Sequence, residues 1–186
     1  ARNKIFHHAS VGAPPQDLKY RGEPTELILG DENQIREFAT LHTGTVGGGG
    51  VTRIGSRNLF MAYSHVAHDC QVGDNNVFAN GATLAGHVEV GSFVTLGGLS
   101  AVHQFTRLGD SSFLAGGTIV VMDVPPYCMA QGDRAELSGI NEVGLKRRGF
   151  TDEQVGRVKD AYRALFRQKQ LLKDAVCDAL RDATGE

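Results

Sequence analysis

Broken every six positions, residues 55–120 read GSRNLF MAYSHV AHDCQV GDNNVF ANGATL AGHVEV GSFVTL GGLSAV HQFTRL GDSSFL AGGTIV. Each block ends on a large apolar residue. With Ile54 they form an unbroken run of twelve: Ile54, Phe60, Val66, Val72, Phe78, Leu84, Val90, Leu96, Val102, Leu108, Leu114 and Val120. Small residues favour the opening position, as in Gly55, Ala67, Gly73, Ala79, Ala85, Gly91, Gly97, Gly109 and Ala115. The same beat occurs upstream at Ile5 and Val11, and again at Leu29, Ile35 and Leu41. A fixed period this short marks a solenoid, in which each repeat is a strand plus a turn and buries its apolar residue only by stacking on neighbours. Six-residue units close as three flat faces, so a coil takes eighteen residues and positions eighteen apart stack. Residues 1–127 therefore read as a mainly β domain, a parallel β-helix.

Two segments interrupt the beat. The interval from Val11 to Leu29 is eighteen residues, and 14–26 lacks the hexad pattern, so it reads as a projecting loop. The run Gly47 to Gly50, followed by Val51-Thr52-Arg53, stretches Leu41 to Ile54 from twelve residues to thirteen and reads as a second loop at 47–53. Four consecutive glycines lose much entropy on ordering, so something else must hold them. Glycines elsewhere are read as relieving tight corners. At Asp123-Val124-Pro125-Pro126-Tyr127 the prolines are expected to end the ladder. From Thr151 the period turns helical, with Val155, Val158, Tyr162, Leu165 and Phe166 on one face and a Thr151/Gln154 capping box at the start. A bend at Gln168–Lys169 leads to a second helix through Leu171, Leu172, Val176 and Leu180. Residues 128–186 are thus expected to form a C-terminal α-helical domain.

Composition narrows the function. A net charge of −2 gives no argument for a nucleic-acid or membrane partner. From Lys146 onward ten Lys/Arg face seven Asp/Glu, which reads as a solvated helix face. No apolar run approaches membrane-spanning length and no signal peptide is evident. Three cysteines, odd in number and without a CxxC pair, favour a reducing compartment and hence the cytoplasm. The chain opens mid-repeat without Met, as a shortened chain would.

The register sorts the seven histidines. His68 stacks eighteen residues before Gly86, which has His87 beside it, and thirty-six before Gln104, flanked by His103 and Phe105. His65 precedes His68 on the same turn. These groups gather on one corner of three successive coils, each about 4.8 Å from the next. A neutral imidazole suits proton abstraction from a hydroxyl near pH 7. Asp69 would fix its tautomer, and the Gly86 N–H would face a developing oxyanion. Exposed turn histidines, or an imidazole zinc site, are the competing readings. Cys70 beside this group is either a nucleophile or a small core or turn residue.

Several strings carry a resemblance. They are Gln16-Asp17-Leu18-Lys19-Tyr20, Ser64-His65-Val66-Ala67-His68-Asp69-Cys70, Leu84-Ala85-Gly86-His87-Val88 and Ala101-Val102-His103-Gln104-Phe105. With them go Asp123-Val124-Pro125-Pro126-Tyr127 and Asn141 followed by Gly144-Leu145-Lys146-Arg147-Arg148-Gly149-Phe150. Together they resemble the UDP-N-acetylglucosamine acyltransferase family of lipid A biosynthesis, from Ile5 to about Phe166. The resemblance implies a left-handed β-helix with a helical C-terminal domain, and a cytoplasmic homotrimer with active sites between subunits. It implies transfer of a 3-hydroxyacyl group from acyl carrier protein to the glucosamine 3-hydroxyl of UDP-N-acetylglucosamine. No cofactor, metal, nucleic acid or membrane insertion is implied.

By motif, His68 would be the general base, Asp69 its orienting partner and Gly86 the oxyanion donor. Asp17, Lys19, His65, His87, His103, Gln104, Asn141, Arg147 and Arg148 would contact substrate. Attack would be direct, leaving Cys70 without a catalytic role. The family's acidic residue two after the Asn is Val143 here; either Glu142 takes its place or that uridine contact is absent. Gly116 would be the acyl-chain ruler, and Ala115-Gly116-Gly117 favours a longer donor. Rival readings are the related N-acyltransferase, a γ-type carbonic anhydrase with a zinc site, and a non-catalytic trimeric scaffold.

Overall fold

The computed structural model describes residues 2–168 and 170–184. Lys169, where the interhelical bend was expected, lies outside the described residues. The chain divides into two compact units, Ala1–Ser138 and Gly139–Glu186.

The first unit is a left-handed parallel β-helix of short strands in three sheets. One sheet aligns Ile5, Ile35, Phe60, Phe78, Leu96 and Leu114 across its strands. A second aligns Val11, Leu41, Val66, Leu84, Val102 and Val120. The third aligns Leu29, Ile54, Val72, Val90 and Leu108. Between Ile54 and Val120, paired residues are eighteen apart in sequence, as the hexad count requires. The aligned side chains fill the interior: Ile35, Leu41, Phe60, Val66, Phe78, Leu84, Leu96, Leu114 and Val120 are all fully buried. Ile5, on the terminal strand of its sheet, is 54% exposed.

A second buried position per hexad escaped the sequence reading. The fourth residue of each block also points inward, and Asn58, Ser64, Cys70, Asn76, Ala82, Val88, Val94, Ser100, Thr106, Ser112 and Thr118 are all buried. On one corner this position builds an asparagine ladder. The Oδ1 of Asn33 accepts from the Asn58 backbone N–H, Asn58 from Asn76 and Asn76 from Val94, while each amide group donates to a neighbouring carbonyl. These asparagine side chains are thereby satisfied, as buried polar groups usually are. The Ser64, Ser100, Ser112 and Thr118 hydroxyls at the same inward position are buried without a partner among the described residues.

Glycine relieves a hexad corner, as expected, at Gly81 and Gly117 but seldom elsewhere. The left-handed backbone at each corner falls on the third residue of the block, which is mostly not glycine: Arg57, Tyr63, Asp69, Asn75, His87, Phe93, Leu99, Phe105 and Ser111 all have φ near +60°. The block-opening glycines serve close approach between coils instead. A Cβ on Gly55 or Gly73 would lie 2.7 Å from the carbonyl oxygen of the next coil.

Two further expectations are corrected. Leu41 and Ile54 sit on adjacent faces, so thirteen residues fill a step that needs six, and the insertion is seven residues rather than one. Within it, Val46–Gly48 is a short 3-10 turn and Val51–Ile54 is already a strand. Pro125 and Pro126 do not end the ladder. They occupy a turn, where no ladder N–H is needed, and Cys128–Gln131 then pairs in parallel with Phe113–Leu114.

Among the described residues, the second unit holds three helices: α1, Glu142–Arg147; α2, Asp152–Phe166; and α3, Leu172–Thr184. The Thr151/Gln154 capping box is formed at the start of α2, and Val155 and Tyr162 on its apolar face are buried. The sequence reading had no α1, because six residues are too few to show a helical period.

Candidate active site

The corner between the Val66 and Val72 strands carries His68, with His87 and His103 on the coils stacked beyond it. His65 aligns with Thr83 and Ala101 on successive coils, so His68, Gly86 and Gln104 stack as the second residues of their turns. Asp69, His87 and Phe105 follow as the third, each with φ near +60°. Aspartate tolerates this region better than most residues; His87 and Phe105 are held there by the coil.

Asp69 is the most constrained group of the corner. Its side chain is 1% exposed. Oδ1 accepts from the Thr45 backbone N–H at 2.8 Å, and Oδ2 accepts from the Thr45 hydroxyl at 2.6 Å. Its own N–H donates to Thr52 Oγ1 at 2.8 Å. His68 Nδ1 lies 2.8 Å from Oδ2, and His87 Nε2 lies 3.7 Å from the same oxygen. Burial pushes the Asp69 carboxyl up, but the Thr45 hydroxyl and amide, His68 and the nearby His87 together hold it below the ordinary carboxylate value. An ionised carboxylate only accepts, so neutral His68 donates from Nδ1 and keeps a lone pair on Nε2. That is the tautomer a base requires.

Glycines make room for this geometry. A Cβ on Gly86 would lie 2.8 Å from His68 Nε2, so only glycine lets the coil pack against the imidazole. A Cβ on Gly48 would overlap the Asp69 carboxyl, and one on Gly44 would lie 2.8 Å from its Oδ1. The glycine-rich insertion is therefore what seals Asp69 from solvent, and Asp69 is what holds the insertion. Among the described residues, the Gly86 N–H meets no acceptor.

Aromatic contacts fix the neighbours. The His68 and His87 rings meet edge to face at 5.1 Å, and His87 stacks on Phe105 at 4.5 Å. His65 Nδ1 is 2.6 Å from the Thr40 hydroxyl, and its ring meets His42 edge-on at 5.0 Å. Burial first, then the positive potential of His42 and His68, depresses His65 to about 4. His42 is likewise lowered, mainly by burial. His65 is thus neutral where free histidine is already protonated. Below pH 6.5 the unfolded chain binds a proton that the folded chain refuses, so stability falls as pH drops from 6.5 toward 4. His65→Asn is expected to flatten that part of the profile. Denaturant midpoints of both proteins across this window check it, and an equally steep loss in the variant would contradict it.

The remaining expected site residues are distributed more widely. His103 and Gln104 are exposed on the same corner, with His103 Nδ1 3.2 Å from the Gln104 carbonyl. Asp17 and Lys19 lie in the first projecting loop, where the Asp17 carboxylate accepts from the Lys19 N–H at 2.9 Å. Gly116 is exposed on a different corner, between the Leu114 and Val120 strands, and a Cβ there meets only the Gly98 carbonyl, at 3.4 Å. Asn141, Arg147 and Arg148 belong to the second unit. Asn141 caps α1 through the Gly144 N–H, Arg147 ends α1, and the Arg148 guanidinium lies 5.4 Å from the centre of the Phe150 ring. Glu142 pairs with Lys159 at 2.8 Å, which holds its carboxyl below the usual value.

Cys70 is buried at the small inward position, its Sγ 3.2 Å from the Ala85 carbonyl, and burial pushes its thiol up to about 12. A thiol so far from ionisation is a packing residue. Atoms of His68, Asp69 and His87 lie within 4.8 Å of one another, close enough to share a cation. Asp69 Oδ2, however, already accepts from both Thr45 and His68. Thr40, His42, Thr45 and Thr52 were missed from sequence; the only signal was a glycine run that needed something to hold it.

Comparison with known proteins accords with this geometry. Residues 51–86 match the bacterial transferase hexapeptide (six repeats) family, and residues 123–185 match the second domain of UDP N-acetylglucosamine O-acyltransferase. The chain is 63% identical over 184 residues to an acyl-(acyl-carrier-protein)–UDP-N-acetylglucosamine O-acyltransferase of Myxococcus xanthus, covering 99% of this chain and 71% of that relative. A protein of the same name from Aliarcobacter butzleri is 53% identical, with 96% and 68% covered. The crystal structure of UDP-N-acetylglucosamine O-acyltransferase from Moraxella catarrhalis superposes with a TM-score of 0.95 at 44% identity, covering 100% of this chain and 72% of that one. UDP-N-acetylglucosamine acyltransferase from Campylobacter jejuni gives 0.91 at 43% identity, covering 97% and 69%.

Proposed function

The chain belongs to the UDP-N-acetylglucosamine O-acyltransferase family, and from that premise we propose that it performs the family's acyl transfer with His68 as general base. The acyl donor is an acyl carrier protein thioester and the acceptor is UDP-N-acetylglucosamine. His68 Nε2 removes the proton of the glucosamine 3-hydroxyl as that oxygen attacks the thioester carbonyl. The tetrahedral oxyanion forms against the Gly86 N–H. Its collapse expels the thiolate, which takes the proton back from His68, so atoms and charge balance without an acyl-enzyme. The observation that carries this reading is the buried Asp69 carboxylate, bonded on both oxygens and accepting from His68 Nδ1.

Around this centre, His65, His87, His103, Gln104, Asp17 and Lys19 are proposed substrate contacts. Asn141, Arg147 and Arg148 are assigned to the nucleotide, since a guanidinium fork suits a diphosphate. No helix among the described residues is long and apolar enough to cross a membrane. The free cysteines suit a reducing compartment, and we place the reaction in the cytoplasm. Incubation with UDP-N-acetylglucosamine and 3-hydroxyacyl carrier proteins of several lengths tests the activity directly. An O-acylated nucleotide sugar is expected, and no product with any donor would overturn the proposal.

A homotrimer with sites between subunits is the proposed assembly. Two faces of the helix support it. Beyond Lys4 and Gln34, the outward residues Leu59, Val77, Thr95 and Phe113 of one sheet are uncharged, as are Thr83, Ala101 and Ile119, which follow His65 on another. The third sheet instead presents Arg53, Gln71, Glu89 and Arg107. Uncharged faces lose little on desolvation. Sedimentation should therefore give a trimer at micromolar concentration; a stable monomer would contradict it.

Gly116 remains the proposed ruler. Its corner is not that of His68, so an acyl chain measured there would run between adjacent copies. Gly116→Met should move the preferred donor to a shorter chain, since each methylene excluded from burial costs about 0.8 kcal/mol. An unchanged chain-length profile would place the ruler elsewhere.

A further inference from the structure

We infer that Thr45 is a positioning residue for catalysis, acting on His68 through both oxygens of Asp69. The inference rests on the assignment of His68 as base and adds the group that sets its orientation.

Thr45 grips the carboxylate twice, through its N–H to Oδ1 and its hydroxyl to Oδ2. Two bonds to two oxygens fix the plane of the carboxylate, which one bond leaves free to rotate. The hydroxyl can point only one way, because Thr45 Oγ1 accepts from the Gly48 N–H at 3.2 Å and a carboxylate offers no proton in return. Oδ2 is also the oxygen that accepts from His68 Nδ1. Thr45 therefore aims the acceptor that aims the imidazole. Thr45 and Asp69 are both buried, so no water substitutes for a lost hydroxyl.

The glycine-rich insertion makes this grip possible. Thr45 caps its 3-10 turn, and Gly44 and Gly48 approach the carboxyl more closely than a Cβ allows. An insertion of seven residues thus supplies one hydroxyl and one N–H at a corner that the plain hexad leaves bare. His87, 3.7 Å from Oδ2, is the other ionisable group facing the carboxylate, and its contact is too long to replace either bond.

Steady-state kinetics of Thr45→Val, Thr45→Ser, His68→Ala and the Thr45→Val/His68→Ala double variant test the inference, with thermal melts as a control for folding. Thr45→Val should lower kcat by about 10- to 100-fold while both KM values stay within about threefold. Thr45→Ser, which keeps the hydroxyl, should stay within about threefold of the parent. The double variant should be no slower than His68→Ala, because Thr45 acts only through that imidazole. Thr45→Ala replaces the valine variant if the latter does not fold. Wild-type kcat in the valine or alanine variant would overturn the inference. So would a serine variant as slow as valine, or a double variant slower by the product of the two losses. Full activity in His68→Ala would instead remove the base assignment on which the inference rests.

Discussion

Replacing His68 by alanine is expected to lower turnover by about 10² to 10⁴, the usual contribution of a positioned general base. The fold should survive, because the imidazole lies at a corner and the coil interior is filled by Val66, Cys70 and Val72 instead. The loss should fall on kcat, since the proton transfer exists only in the transition state. Cys70→Ala provides the contrast. Its thiol is pushed up to about 12 and packs inward, so its removal should leave turnover within a few-fold of the parent. Turnover by both purified variants checks the assignment; an inactive Cys70→Ala beside an active His68→Ala would reverse the scheme.

Asp69→Asn should cost about 10² to 10³ in turnover, for a reason distinct from charge alone. The asparagine amide has one acceptor oxygen where the carboxylate has two, while the Thr45 N–H and hydroxyl and His68 Nδ1 all need acceptors. If the NH2 group faces His68, Nδ1 must become the acceptor and the ring proton moves to Nε2, where the base needs a lone pair. If it faces Thr45 instead, a buried donor meets a donor and stability falls by about 1–3 kcal/mol. The pH dependence should differ too. The Asp69 carboxyl is held below its unfolded value, so its stabilisation is complete above about pH 4 and lost as pH falls through the folded value. The asparagine variant lacks that acid-limb loss. Turnover within threefold of the parent would show that Asp69 does not set the tautomer.

The hexad was legible because its sixth residue must be large and buried on every coil. That one constraint aligns the three sheets and stacks His68 with Gly86 and Gln104 from sequence alone. The inward fourth position was not legible, since Ser64, Cys70, Val88 and Thr118 share only small or moderate size and burial. Nor were the left-handed corners, where His87, Phe93 and Leu99 occupy a conformation their side chains disfavour, because stacking rather than local preference imposes it. The seven-residue insertion hid the most consequential partner. Thr45 reaches Asp69 across twenty-four positions, and a break in the period says where the count fails but not what the extra residues touch. The substrate contacts expected in the second unit were named through resemblance alone, for no repeat connects Asn141, Arg147 or Arg148 to the coils.

The protonation of a single ring tests the central claim most directly. Imidazole 15N NMR of the wild-type protein, with His68 assigned by comparison with His68→Ala, reads which nitrogen carries the proton when the ring is neutral. A proton on Nδ1, held by Asp69, and an unprotonated Nε2 available to the acceptor hydroxyl are expected. A neutral His68 protonated on Nε2 would contradict it.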